Sequence, residues 1–152
     1  MARLKYTHTT ATLGFVFRNQ ELLLLKRSMP PKIWAPPGGR LLRDENPSQG
    51  LQREIQEECG ITAQILAPFD IWFGQHEGAL TLGIIFLCRY LDGSLVLSSE
   101  HTEAQWLTER TLSTKIMESS GEFFGNLSLY SKAFFLSRVL EERDSTEQLS
   151  HE

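Results

Sequence analysis

The sequence predicts an α+β domain, and three observations carry that reading. Two apolar runs near the start, rich in β-branched and aromatic residues or leucine, are parted by a short polar break. A proline- and glycine-rich loop then leads into a helix with clear start and stop signals. After further strands, a second amphipathic helix follows near the end of the chain. With 152 residues the chain can bury roughly 70% of its unfolded surface as one unit. A single domain over residues 1–143 is expected, with a frayed polar tail over 144–152.

Thr10 to Arg18 is the first strand, Asn19-Gln20 interrupts it, and Glu21 to Arg27 (ELLLLKR) is the second, so a tight turn joins the pair. From Ser28 to Gly39, four prolines and two glycines exclude regular structure and predict a stiffened loop. Asn46 suits an N-cap and Pro47 the first helical position, which predicts a helix running to about Cys59 and stopping at Gly60. Thr62 to Phe73 alternates weakly and supplies one or two strands. Leu80 to Leu91 is almost continuously apolar, the mark of a buried strand, and Asp92-Gly93 turns it into Leu95-Val96-Leu97. Glu103 to Leu107 adds a short strand, and Thr108 to Glu118 a short helix. In Asn126 to Arg143, Leu129, Ala133, Leu136 and Leu140 share one helical stripe, widened by Phe134, Phe135 and Val139. From Asp144 to Glu152 the apolar spacing ends.

Composition removes several classes of function. Hydrophobic residues at 41% and charged residues at 22% are ordinary for a folded globular chain. A net charge of −4 gives no electrostatic reason to bind duplex nucleic acid, which demands a basic excess. Cys59 and Cys88 lack zinc-ligand spacing and read as reduced, buried thiols. The polar N-terminus does not suit a secretory signal, and no apolar run approaches the roughly 20 residues that span a bilayer. A cytoplasmic location, without membrane attachment, is the default expectation.

Between Gly38 and Ile61 (GGRLLRDENPSQGLQREIQEECGI) the predicted helix gathers acidic groups. At about 100° per residue, Glu54, Glu57 and Glu58 fall within an arc of roughly 100°, with Arg53 at the i, i+4 position from Glu57. A solvated acidic face with one ion pair is the plain reading of a bare Glu-x-x-Glu-Glu. Carboxylates this crowded repel unless a cation compensates them, and oxygen-only ligands favour magnesium or manganese over zinc.

The wider spacing decides between these readings. Gly39, five residues, Glu45, seven residues, then Arg53-Glu54-Ile55-x-Glu57-Glu58-x-Gly60-Ile61 fills every specified position of the Nudix box, and the segment resembles that family's signature throughout. Lys26-Arg27, Trp34-x-x-Pro37-Gly38-Gly39 and Glu100-His101-x-Glu103-x-x-Trp106 are also similar to family features, so the resemblance covers most of residues 10–140. It implies a Nudix fold, an α/β/α sandwich with a mixed β-sheet.

By position, the resemblance implies that Glu57 and Glu58 are the principal ligands of Mg²⁺, or of Mn²⁺ as a substitute, joined by the Gly38 carbonyl. Glu54 resembles the position that accepts the water proton, with Glu58 ranked second. Arg53 would orient these carboxylates, Glu45 would support the metal shell, and Gly39 and Gly60 would serve backbone geometry. Two positions depart from the common pattern: Asp44 replaces a glycine, and Gly50 stands where a small residue such as alanine is usual, at a cost to the helix of about 1 kcal/mol.

Outside the box the residues support several readings. Arg27 ends a strand and can hold a phosphate, or be solvated. His76 lies in a Gly-flanked loop that either contacts substrate or is incidental. Glu103, then Glu100, resembles the distal acidic position that adds a metal ligand. Trp34 either stacks on a base or packs beneath its loop, while Trp72 and Trp106 suit the core.

The resemblance implies a metal-dependent hydrolase that cleaves the diphosphate linkage of a small nucleotide, foremost a nucleoside triphosphate yielding monophosphate and pyrophosphate. Nucleotide sugars come second, because PGGRLLRDE and SSEHTEAQWLT resemble stretches of GDP-mannose hydrolases. A nucleotide-sensing module without turnover is the alternative of another class. Phe123-Phe124 leaves room for a homodimer.

Overall fold

The computed structural model describes residues 7–150. Residues 1–6, which carry most of the N-terminal stretch read against a secretory signal, and residues 151–152 of the expected tail lie outside the described residues. Strands β1 (Thr9–Arg18) and β2 (Glu21–Arg27) form an antiparallel pair. Their turn residues, Asn19 and Gln20, have φ of 48° and 62°, which suits the right-handed twist of a two-residue hairpin.

The proline-rich stretch is mostly loop, yet it includes two short strands, β3 (Trp34–Ala35) and β4 (Gly38–Arg40). Helix α1 (Pro47–Cys59) starts and stops as its signals predict. The Ser48 N–H donates to Asn46 Oδ1 at 2.9 Å, and Gly60, at φ 72°, donates its N–H to the Gln56 carbonyl at 3.0 Å. Next come β5 (Thr62–His76) and β6 (Ala79–Asp92), an antiparallel hairpin turned by Glu77-Gly78. β5 is one strand, and three register shifts along it explain the weak alternation of its sequence. β7 (His101–Thr108) leads into α2 (Glu109–Glu118), and α3 (Leu127–Leu149) follows.

The sheet runs β3-β2-β1-β6-β5, with β4 added to β1 and β7 to β2. It is mixed, because β1 and β6 are parallel while every other pair is antiparallel. Helices cover both faces. Phe15, Phe17, Leu22, Leu24 and Leu87 pack with Leu112, Tyr130, Ala133 and Phe134 of α2 and α3. Val16, Leu23, Leu25 and Phe86 point the other way, against Leu51, Ile55 and Cys59 of α1. This division explains why β2 is apolar at four consecutive positions: neither face meets water.

Three expectations are corrected. Leu95 to Leu97 is not a strand. The segment caps the end of α1 instead, its Val96 and Ser98 N–H groups donating to the Cys59 and Glu58 carbonyls at 3.0 Å each, which satisfies last-turn acceptors. Residues 144–149 are helical rather than frayed, although they bury no stripe. Local polar contacts continue α3 there: Arg143 pairs with Glu147, the Ser145 and Thr146 hydroxyls donate back to Glu141 and Glu142, and Asp144 pairs with Arg89 of β6. Phe135, expected to widen the buried stripe of α3, is 59% exposed, because that helix meets the sheet along one side only.

Candidate active site

The site forms where β1 changes partner. Ala11–Leu13 pair with β4, whereas Phe17–Arg18 pair with β2. The parting of β4 from β2 opens a cleft of about 480 Å³, floored by β1 and β6 and flanked by α1.

Two adjacent glycines let α1 approach β4. Gly38 has φ +155°, and a side chain there would run into the Thr12 carbonyl oxygen. At Gly39 an added Cβ would lie 2.7 Å from the Glu54 carboxyl carbon. This glycine is therefore required by the space its neighbour's carboxylate occupies.

Arg53 organises the acidic face of α1. Its Nε donates to Glu45 Oε1 at 2.7 Å and its Nη2 to Glu45 Oε2 at 3.0 Å, a bidentate grip. Nη1 donates to Glu54 Oε1 at 2.9 Å and to Glu57 Oε2 at 3.0 Å. Hydrogen bonds from Arg53 and from the Leu42 N–H hold Glu45 down at about 2. Gly50, an apparent weak point of the helix, makes room for this arrangement: a Cβ there would meet Leu41 Cδ2 at 2.5 Å and Glu45 Oε2 at 2.9 Å.

Glu58 points deepest. It is 6% exposed, and its Oε2 accepts from the Gly38 N–H at 3.0 Å. Burial pushes its pKa up to about 8 against that bond, and repulsion from Glu54, Glu100 and Glu57 adds to the rise. Burial also raises Glu54, against the pull of Arg53. From the segment that caps α1 and from the start of β7, Glu100 and His101 reach the same place. One ligand atom from each of Glu58, Glu100 and His101 lies within 4.8 Å of the others. The Nδ1 of His101 is buried with no hydrogen-bond partner among the described residues, and burial lowers the pKa of its ring.

A family model of the NUDIX domain matches residues 7–127. The chain belongs to the Nudix family. A MutT-like protein of Streptomyces ambofaciens is 32% identical over 111 residues, covering 73% of this chain and 71% of that protein. An 8-oxo-dGDP phosphatase, NUDT18 of Danio rerio, is 31% identical over 88 residues, covering 56% of this chain and 26% of that protein. A C. elegans Ap4A hydrolase, solved as a binary complex, matches with a TM-score of 0.69 and 25% identity, covering 88% of this chain and 98% of that one. The mixed sheet between helices is thus the Nudix fold, and the protein is a Nudix hydrolase that acts on nucleoside diphosphate derivatives. No helix among the described residues is long and apolar enough to cross a membrane.

Nudix hydrolases generally use a divalent metal, and these residues fit one. Buried carboxylates that repel one another and an orphaned ring nitrogen are groups a cation would satisfy. Of the residues singled out in the sequence, Gly38, Gly39, Glu54, Glu58, Arg27, His76 and Glu100 line the cleft. Glu57 stands outside its lining, with a side chain 59% exposed and tied to Arg53.

Glu103 does not reach the site. It pairs with Lys26 across β2, while its neighbours Ala104 and Trp106 pack on the α1 side, so the strand pleat turns Glu103 to the opposite face. Trp34 is likewise turned away. It packs with the α2–α3 core beneath Lys26, and its backbone is tied to Glu122 and Phe124. Trp72 packs on that core as expected, yet it also lines the cleft, beside Phe124 at 6.1 Å between ring centroids. Arg40 was not singled out. It lines the cleft and donates through Nη2 to the His76 carbonyl at 2.6 Å. His76 itself ends β5 at a tight hairpin, so the expected Gly-flanked loop is a two-residue turn at Glu77-Gly78.

Proposed function

We propose that this protein hydrolyses the diphosphate linkage of a nucleoside triphosphate, releasing a monophosphate and pyrophosphate, with Mg²⁺ as cofactor and Mn²⁺ as a substitute. The observation that carries the reading is the convergence of Glu54, Glu58 and Glu100 at one end of a cleft that holds Arg27 and Arg40 and has Trp72 and Phe124 in its wall. Carboxylates suit a cation, guanidinium groups suit phosphate oxygens, and the aromatic pair suits a base.

Glu58, Glu57 and the Gly38 carbonyl would hold the cation. When bound, it neutralises phosphate oxygens and makes a water acidic enough to attack phosphorus. Glu54 takes the water proton, with Glu58 second, since burial moves Glu54 toward the working pH while Arg53 fixes its direction. Arg53, itself held by Glu45, keeps Glu54 and Glu57 from drifting apart. Arg27 and Arg40 orient the substrate phosphates.

The test is a panel of nucleoside triphosphates, nucleoside diphosphates, dinucleoside polyphosphates and GDP-mannose, incubated with Mg²⁺ in ¹⁸O-water. Similarity to an 8-oxo-dGDP phosphatase supports including oxidised purine nucleotides. The label is expected in a phosphate product. Label in a released sugar would favour the nucleotide-sugar reading, and binding without turnover would favour a sensing module. Glu57→Gln should lower turnover about a hundredfold or more without unfolding the chain.

A further inference from the structure

We propose that His101 supplies a nitrogen ligand to the divalent cation held with Glu58 and Glu100, so that the site favours Mn²⁺ over Mg²⁺ more than a carboxylate-only site does. The inference rests on the metal-dependent reading above and adds Glu100 and His101 to its donor set.

The first support is the course of the chain. Along a regular strand His101 and Glu103 share a face, which for Glu103 is the face turned away from α1. The ladder is not regular there. Glu103 pairs with Lys26, His101 pairs with the next residue, Arg27, and the register shifts between them, leaving Thr102 as the extra residue. A bulge of this kind re-aims a side chain, and here it brings the imidazole to Glu58 of α1.

The second support is the state of the ring. It is half-buried, and its Nδ1 has no hydrogen-bond partner among the described residues. A buried imidazole nitrogen is usually bonded, so this one calls for a partner the protein does not provide. Ligands that each sit about 2.1 Å from one ion are roughly 3–4.2 Å apart, and the three donor atoms here lie within 4.8 Å of one another. Imidazole is a poor match for Mg²⁺, which prefers oxygen, and a better one for first-row transition ions. A carboxylate-only site offers less of that bias.

Pulsed electron paramagnetic resonance on the full chain loaded with Mn²⁺ tests this, because a coordinated imidazole nitrogen modulates the electron spin echo. The expected result is ¹⁴N modulation in the wild type that persists in His76→Gln and vanishes in His101→Gln. Calorimetry with Mn²⁺ and Mg²⁺ should show His101→Gln losing Mn²⁺ affinity roughly tenfold with little change for Mg²⁺. If Mn²⁺ binds the wild type without nitrogen modulation, the ligand assignment is overturned while metal dependence stands. If neither ion binds, both readings fall. The wild-type spectrum needs no variant, so an unfolded His101→Gln would not protect the proposal.

Discussion

Arg53 grips Glu45 through two parallel hydrogen bonds, Nε to Oε1 at 2.7 Å and Nη2 to Oε2 at 3.0 Å, and uses its remaining nitrogen to hold Glu54 and Glu57. One planar cation thus joins the loop before α1 to two carboxylates on it. Lysine cannot reproduce that fork. Arg53→Lys should lower kcat roughly ten- to a hundredfold with a smaller change in KM, measured by steady-state kinetics on whichever nucleotide the panel identifies. A wild-type kcat would show that the orientation of Glu54 does not matter.

The same pair predicts a response to acid. Arg53 holds Glu45 at about 2, below its ordinary 4.5, so the folded state binds fewer protons than the unfolded one between those values. The stabilisation is present above pH 4.5 and is lost as pH falls toward 2. Melting curves of wild type and Glu45→Gln should therefore differ most near neutrality and converge on acidification.

Gly38 and Gly39 are adjacent, but their replacement should fail in different assays. Alanine at Gly38 meets the Thr12 backbone at a positive φ that L residues rarely adopt, and the strain alone should destabilise the fold by about 1–3 kcal/mol. The nearest atoms to an alanine methyl at Gly39 all belong to the Glu54 carboxyl group, a side chain that can swing aside. Gly39→Ala should keep a melting temperature near wild type while losing turnover. Equal losses of stability in both variants would contradict this division.

Legibility in the sequence followed locality. Helix α1 could be read because Asn46, Pro47 and Gly60 act within one turn of themselves, and its acidic face because helical spacing is rigid. The strands of β1 and β2 could be read from composition, but their division between two cores became visible only once α1 lay on one side and α3 on the other. The distal acidic residue could not be read. Glu100 and Glu103 are three positions apart, and the register shift in β7 decides which of them, and whether His101, faces α1. That shift depends on pairing with β2, far away in sequence. Trp72 packs on the core as expected but also meets the cleft, because the irregular register of β5 sets which way its ring turns.

Glu58 predicts how metal binding depends on pH. Burial pushes its pKa up to about 8 from 4.5 in the protein without a cation, so the folded state holds a proton there that the unfolded chain gives up. Its contribution to the metal-free fold is complete below pH 4.5 and is lost as pH rises through 8. A cation bound by the carboxylate must displace that proton. Between pH 5 and 8, Mg²⁺ affinity should therefore rise with pH. Calorimetry in buffers of different ionisation enthalpy should register a proton released on binding, and Glu58→Gln should abolish the release. Affinity independent of pH over that range would mean that another group holds the ion.

The two tryptophans offer a test in which one variant controls for the other. Both rings pack on the α2–α3 core, but Trp72 also lines the cleft from β5 beside Phe124, whereas Trp34 lies under Lys26. Stacking a base on an aromatic ring is worth about 1–3 kcal/mol, so Trp72→Ala should raise KM roughly five- to a hundredfold as well as lowering the thermal midpoint through lost core contacts. Trp34→Ala should likewise lower the midpoint by removing core contacts, while KM changes little. Both rings are large and partly buried, so a non-specific loss of packing would affect them alike. A change in KM confined to Trp72→Ala is what separates a substrate wall from a structural one, and an unchanged KM in that variant would move the base elsewhere in the cleft.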